Sequence, residues 1–137
     1  MKIPPNIIIE MIEQAQQEAP NESCGYLLGK PSPSWETEGG IVTENYPMEN
    51  IDHSSEHFSF APKDQFAALR YAREKGLKIL ANWHSHPASP SRPSKEDLRL
   101  ANDPTIRYAI LSLLNGEPRL NSFKIINNEV EDKETHL

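Results

Sequence analysis

Residues 77–97, LKILANWHSHPASPSRPSKED, constrain this chain more than any other stretch, because an apolar run, two histidines, a proline-rich loop and a helix start follow one another without a break. Leu77 to Trp83 is apolar, follows Gly76 and stops at prolines, which is the pattern of a buried strand. Side chains alternate faces along a strand, so His84 and His86 at its end point the same way and Ser85 points opposite. Pro87, Pro90 and Pro93 forbid a helix in the next stretch and stiffen it through their fixed φ. Ser94 then reads as an N-cap that opens a helix of about two to three turns through Leu98, Leu100 and Ala101, with Asp97 in the first turn.

Two imidazoles and a carboxylate aimed at one place have a definite chemistry. A catalytic zinc usually keeps about three protein ligands and a water, whereas a structural zinc is closed by about four, commonly cysteines. Cys24 is the chain's one cysteine, which excludes a cysteine-rich structural site. His84, His86 and Asp97 therefore read as a three-ligand site with an open position for one Zn2+ per chain, although the same donors accept other first-row ions. Taken alone, Ser94 followed three residues later by Asp97 is also the spacing of a capping box. His53 and His57 have the spacing of a helical zinc pair, but residues 50–59 read as extended, which puts them beside a substrate groove and not on a second metal. Cys24, at the head of an apolar strand, reads as a buried small hydrophobe and not as a nucleophile.

The length, 137 residues, is that of a single domain spanning 1–137, enough for one core. Fourteen Lys and Arg against 20 Asp and Glu give a net charge of −6, without the basic footprint of a nucleic-acid binder. Glu129, Glu131, Asp132 and Glu134 read as a solvated acidic end. Met1 to Pro5 shows no signal-peptide succession, and no apolar run approaches a membrane span. One cysteine cannot form an internal disulfide, so a reducing cytoplasm is the expected compartment.

Hydrophobic period and punctuation predict an α/β layer structure. A first helix is expected from Asn6 to Gln17 with Ile8, Met11, Ile12 and Ala15 on one face and Pro20 ending it. Strands are expected at Cys24 to Gly29 and Ile41 to Tyr46, joined by a solvated hairpin loop from Lys30 to Gly40 that contains Pro31, Pro33 and the Gly39-Gly40 pair. A short strand around His57 to Phe60 precedes a helix after Pro62 that presents Phe66, Leu69 and Ala72 until Gly76 stops it. The histidine strand and Asp97 helix follow, then strands near Arg107 to Leu113 and Ser122 to Ile126.

The pattern His-x-His, seven residues, Ser, two residues, Asp, at His84, His86, Ser94 and Asp97, resembles the signature of the JAMM (MPN-plus) metallopeptidases. The stretch from Asn21 to Gly29, NESCGYLLG, is similar to the segment that carries that family's glutamate, and Glu22 falls on it. The resemblance covers nearly the whole chain, since helix, glutamate strand, middle helix, histidine strand and Asp helix come in the family's order. It implies one curved mixed β-sheet flanked by helices, the cytidine-deaminase-like JAMM/MPN fold. It also implies zinc-dependent hydrolysis of a peptide or isopeptide bond, with His84, His86 and Asp97 on the metal, Glu22 as general base and acid, and Ser94 as hydrogen-bond donor to the oxyanion. Read without the resemblance, Glu22 is a solvated residue in the turn after the first helix.

The likeness is closest to small prokaryotic, Mec-type members. The chain lacks the insertions with which eukaryotic deubiquitinases grip two ubiquitins, and it passes from Asp97 through Asn102-Asp103-Pro104 to a strand without room for a second zinc loop. The resemblance thus implies a ubiquitin-like or sulfur-carrier protein with a C-terminal Gly-Gly as partner, its extended tail lying against a sheet edge. Two alternatives remain open: a noncatalytic MPN-type scaffold, and another zinc hydrolase of the same fold. A nucleoside deaminase would need His-x-Glu and Pro-Cys-x-x-Cys patterns that are absent.

Overall fold

The computed structural model describes residues 1–32 and 38–137. Along the chain run α1 (Pro5–Glu18), β1 (Cys24–Lys30), β2 (Ile41–Met48), α2 (Pro62–Glu74), β3 (Lys78–His86), α3 (Lys95–Leu100), β4 (Arg107–Ser112), β5 (Arg119–Ile126) and β6 (Glu129–Thr135). The strands form one mixed sheet in the order β2-β1-β3-β4-β5-β6, with β3 and β4 parallel and the other neighbours antiparallel. This is the expected α/β arrangement of a mixed sheet flanked by helices.

One helix occupies one face of the sheet. Pro5 starts α1, where a missing N–H costs nothing. Ile7, Ile8, Met11 and Ala15 form its buried stripe and pack with Leu27, Val42, Ala81, Trp83, Ala109 and Leu111. Each fully buried side chain of this size contributes about 1.5–3 kcal/mol relative to exposure, which makes this face the main source of stability. Lys2 N donates to Gly40 O and Lys2 O accepts from Val42 N at the β2 edge. Met1 N lies 2.9 Å from Glu134 Oε1 on β6, so residues 1 and 2 touch both edges of a sheet curled around α1.

The opposite face carries α2 and α3. Its register depends on a bulge: β1 pairs Leu27 with Ala81 but Leu28 with Ile79, leaving Leu80 as the extra residue. Leu80, Ala81 and Trp83 therefore all join the α1 side, whereas Ile79 packs with Cys24, Tyr26, Leu28 and Met48 on the other. Beyond the bulge, Asn82, His84 and His86 share that second face.

Four expectations change. Residues 57–60 form no strand; the Asn50 side chain takes the place of a ladder, donating to Glu22 O at 3.0 Å and His57 O at 2.9 Å and accepting from Ser59 N at 3.3 Å. The acidic end is β6, an edge strand whose charged side chains stay exposed apart from Glu134, which is half-buried against Met1 N and Arg107. Its polar residues conceal a strand from a hydrophobic-pattern reading, although Asn127 and Asn128, at φ 53° and 64°, make the tight turn that announces it. On α2 the buried face is Ala68 and Ala72, while Phe66 is 71% exposed and Leu69 49%; small residues at i and i+4 let the helix approach the sheet closely. The Asp97 helix is shorter than expected, at six residues. Of the expected loop between β1 and β2, Pro33 lies outside the described residues.

Where β1 meets β2, a Cβ on Gly29 would stand 2.0 Å from Ile41 O and 2.8 Å from Leu80 Cδ1. Gly29→Ala is expected to lower stability by at least about 1–3 kcal/mol, as overpacking does, and a shifted midpoint in urea denaturation measures it.

Candidate metal centre

The centre lies where β3 ends. His84 and His86 emerge on the same face, both almost fully buried, and Ser85 turns to the other side, where its Oγ accepts from Ser23 N at 2.7 Å. Ser85 N in turn donates to Ser23 O at 2.9 Å. These bonds carry the β1–β3 register, Cys24 opposite His84, beyond the strand end, so Glu22 stands opposite His86. Three prolines later, Ser94 caps α3: its Oγ accepts from Asp97 N at 3.0 Å and its N donates to Asp97 Oδ2 at 2.9 Å.

That same Oδ2 is 3.2 Å from His84 Nε2 and 3.1 Å from His86 Nε2, and the two Nε2 atoms are 3.1 Å apart. Ligand atoms about 2.0–2.1 Å from a tetrahedral zinc would lie about 3.3–3.4 Å from one another, so the spacing fits a small divalent cation. The proton inventory supports the fit. His86 Nδ1 lies 2.8 Å from Pro90 O, and a carbonyl only accepts, so Nδ1 carries the hydrogen and a neutral His86 turns its Nε2 lone pair inward. With His84 neutral and protonated on Nδ1 as well, lone pairs of two nitrogens and a carboxylate oxygen would converge, a donor set suited to a divalent cation.

The ionisation of the three groups is linked. Burial alone would raise the Asp97 carboxyl, but hydrogen bonds from His84 and His86 hold it well below the usual carboxylate range. Burial lowers His84 despite Asp97. His86, also disfavoured by burial, is nevertheless raised by Asp97 and by the Pro90 carbonyl. Among the described residues, His84, His86 and Asp97 are the group of three His, Cys, Asp or Glu side chains close enough to hold a metal ion.

Glu22 is 5% exposed, and burial pushes its carboxyl up to about 8, opposed by His86 and aided by Asp97, Glu96 and Glu56. It is thus not the solvated turn residue that the sequence alone implies. A cavity of about 380 Å³ brings Glu22, His86 and Ser94 together, with Pro20, Glu56 and Ser89 on its wall. Because Ser94 Oγ accepts from Asp97 N, its hydroxyl hydrogen is available to donate into that cavity.

The remaining sequence candidates sit around the centre. His57 lies on the loop after β2 and pairs through Nδ1 with Glu96 Oε2 of α3 at 2.9 Å. His53 is exposed, with Glu49 at 3.9 Å. Three contributors escape a sequence reading. Asn50 pins the Glu22 carbonyl, Pro90 fixes the His86 tautomer through its backbone, and the Phe58 ring stacks on His84 at 4.6 Å between centroids. Each acts through tertiary placement; Phe58 alone gave a signal, as a large apolar residue beside His57 in a loop rich in polar residues.

Residues 4–126 match the family described as prokaryotic homologs of the JAB domain. The chain is 26% identical over 134 residues to a CysO-cysteine peptidase of Mycobacterium tuberculosis, covering 96% of this chain and 87% of that protein. It is 31% identical over 77 residues to a desampylase of Pyrococcus furiosus, covering 56% of this chain and 49% of that protein. Among solved structures, a Desulfitobacterium hafniense protein is 41% identical with a TM-score of 0.84, over 97% of this chain and 88% of that one. A JAB1/MPN domain protein of Archaeoglobus fulgidus, 21% identical over 96% of this chain and 95% of that one, shares the fold with a TM-score of 0.60.

Cys24 is fully buried, its Sγ 3.6 Å from Met48 O, and burial pushes its thiol up to about 12. The thiolate is the reactive form, so iodoacetamide at pH 8 is expected to leave the native protein unmodified and to label it fully in guanidinium, as intact mass would show.

Proposed function

This chain belongs to the prokaryotic homologs of the JAB domain, and on that premise we propose that it is a zinc-dependent peptidase. Its substrate is a peptide or isopeptide bond after the C-terminal Gly-Gly of a ubiquitin-like or sulfur-carrier protein. The observation that carries the reading is the convergence of His84 Nε2, His86 Nε2 and Asp97 Oδ2 within 3.2 Å, with the His86 tautomer set by Pro90. The two curated relatives support the substrate class, being named as acting on CysO-cysteine and as a desampylase.

His84, His86 and Asp97 would hold the metal. Zinc, when bound, supplies Lewis acidity, polarising the scissile carbonyl and lowering the pKa of a water to about 7. Glu22, in its carboxylate form, takes one proton from the attacking water as the new C–O bond forms. It passes that proton to the departing nitrogen as the C–N bond breaks, giving a carboxylic acid and an amine, and the acid's remaining proton then moves to the amine to leave a carboxylate and an ammonium. A buried carboxyl with raised proton affinity suits both halves of this exchange. Ser94 donates its hydroxyl to the carbonyl oxygen as charge develops there. His57 and Phe58 form the wall that shields the centre.

Incubating the zinc-loaded protein with a sulfur-carrier protein that bears residues beyond its Gly-Gly, and weighing the products, tests the reading; an unchanged carrier mass across several carriers would overturn it. Glu22→Gln is expected to keep stoichiometric zinc and lose turnover, whereas His86→Ala loses both, as metal analysis beside the same assay would record. Ser94→Ala should cut kcat by about 10²–10³ through loss of the oxyanion donor. The same change removes the α3 cap, which lowers stability by about 1 kcal/mol, visible separately in thermal melting.

A further inference from the structure

Asn82 is the residue that the mechanism leaves unused. It lies two positions before His84 on the same face of β3, about 6.6 Å back along the strand. Its Oδ1 is buried and has no hydrogen-bond partner, alone in this among the buried side-chain nitrogens and oxygens of the described residues. Both cross-strand neighbours are tyrosines, Tyr26 and Tyr108, whose hydroxyl oxygens accept from Gln65 Nε2 at 3.4 Å and Asp103 N at 3.1 Å, and neither hydroxyl bonds to Asn82 Oδ1. A buried carboxamide oxygen without a partner is costly, and a structure that keeps one invites a ligand to satisfy it.

Asn82 lines a cavity of about 50 Å³ that also includes His84 and Asp97, and whose other walls are mainly apolar, among them Phe58, Tyr108, Ile110 and Ile125. It shares no lining residue with the larger cavity of Glu22, His86 and Ser94, so the two flank the metal centre on different ligands. The space exceeds the ~10–15 Å³ that one water needs, yet it is too small for a long side chain. A half-turn about χ2 presents either the oxygen or the NH2 of the carboxamide to it, and a hydroxyl, as donor and acceptor, satisfies both.

We propose that this cavity receives the side chain of the residue released from the substrate and that Asn82 selects a short one ending in a hydroxyl or thiol. The assignment rests on the peptidase reading above: glycine on the carrier side has no side chain, so a side-chain cavity at the scissile bond serves the leaving residue.

The test uses a sulfur-carrier protein ending in Gly-Gly followed by one Ser, Cys, Ala, Val or Lys, with the zinc-loaded enzyme and kcat/KM read by mass spectrometry. Ser and Cys are expected to exceed Ala, Val and Lys by at least about tenfold, the effect of leaving one polar group unmatched. Asn82→Leu, or Asn82→Ala should the first not fold, should cut the Ser-to-Ala ratio at least about tenfold. An unselective wild-type enzyme, a preference for Val or Lys, or an unchanged ratio in the variant overturns the proposal and leaves the peptidase reading standing. If none of the five carriers is cleaved, the peptidase reading fails, and titration of the zinc-loaded protein with L-serine and L-alanine decides the cavity separately. The Asn82 side-chain amide resonance, identified by its loss in the variant, should move with serine and not with alanine; no movement means that the cavity holds water only, and overturns the proposal.

Discussion

One oxygen holds the centre together. Asp97 Oδ2 accepts the Ser94 backbone N–H that closes the α3 capping box and simultaneously faces both imidazoles at 3.1–3.2 Å. Capping box and candidate metal ligand, which compete as readings of the spacing Ser-x-x-Asp, are compatible in one geometry. The cap orients the carboxylate, and the orientation aims it where a metal ion would be held between the imidazoles. A helix of six residues would be marginal on its own, so α3 depends on this cap and on packing of Leu98 against Ile110, Phe123 and Ile125.

Backbone groups carry much of the remaining precision. Pro90 contributes a carbonyl to His86 Nδ1, Ser23 and Ser85 tie the glutamate segment to the histidine strand, and Asn50 ties the loop before α2 to the Glu22 carbonyl. The side chains that would hold the metal and move the proton thus rest on hydrogen bonds of which the Ser23–Ser85 and Asn50–Glu22 bonds are buried and the His86–Pro90 bond partly so. Such bonds are worth more there than at the surface, because losing one leaves a desolvated partner. Rigidity suits the chemistry, since a base and an oxyanion donor act only if they need not reorganise.

Order along the chain shows how these pieces meet. The parallel pairing of β3 with β4 obliges the chain to cross over, and the crossover is the proline loop and α3, so topology returns Asp97 to the end of the strand from which the histidines emerge. The same crossing puts Tyr108 beside Asn82, with Ile110 and Ile125 on a wall of the cavity they share. The geometry of the candidate metal centre and the adjoining cavity are therefore consequences of one connection.

By itself the sequence determined the local order: the alternation that puts His84 and His86 on one face, the prolines that deny a helix, the Ser94 cap and the apolar stripe of α1. These depend on neighbours within one turn or one strand, where steric and hydrogen-bonding rules act directly. What depended on distant residues was decided only by tertiary structure. The bulge at Leu80 is a mismatch between two strands, the burial that raises Glu22 comes from elements packed over it, and residues 57–60 lose their strand because Asn50 offers their backbone a better partner. Pattern also misjudged α2, since which stripe of a helix faces inward is set by how closely a sheet lets it approach, and it missed β6, whose polar residues join the sheet through backbone bonds that no hydrophobic period records.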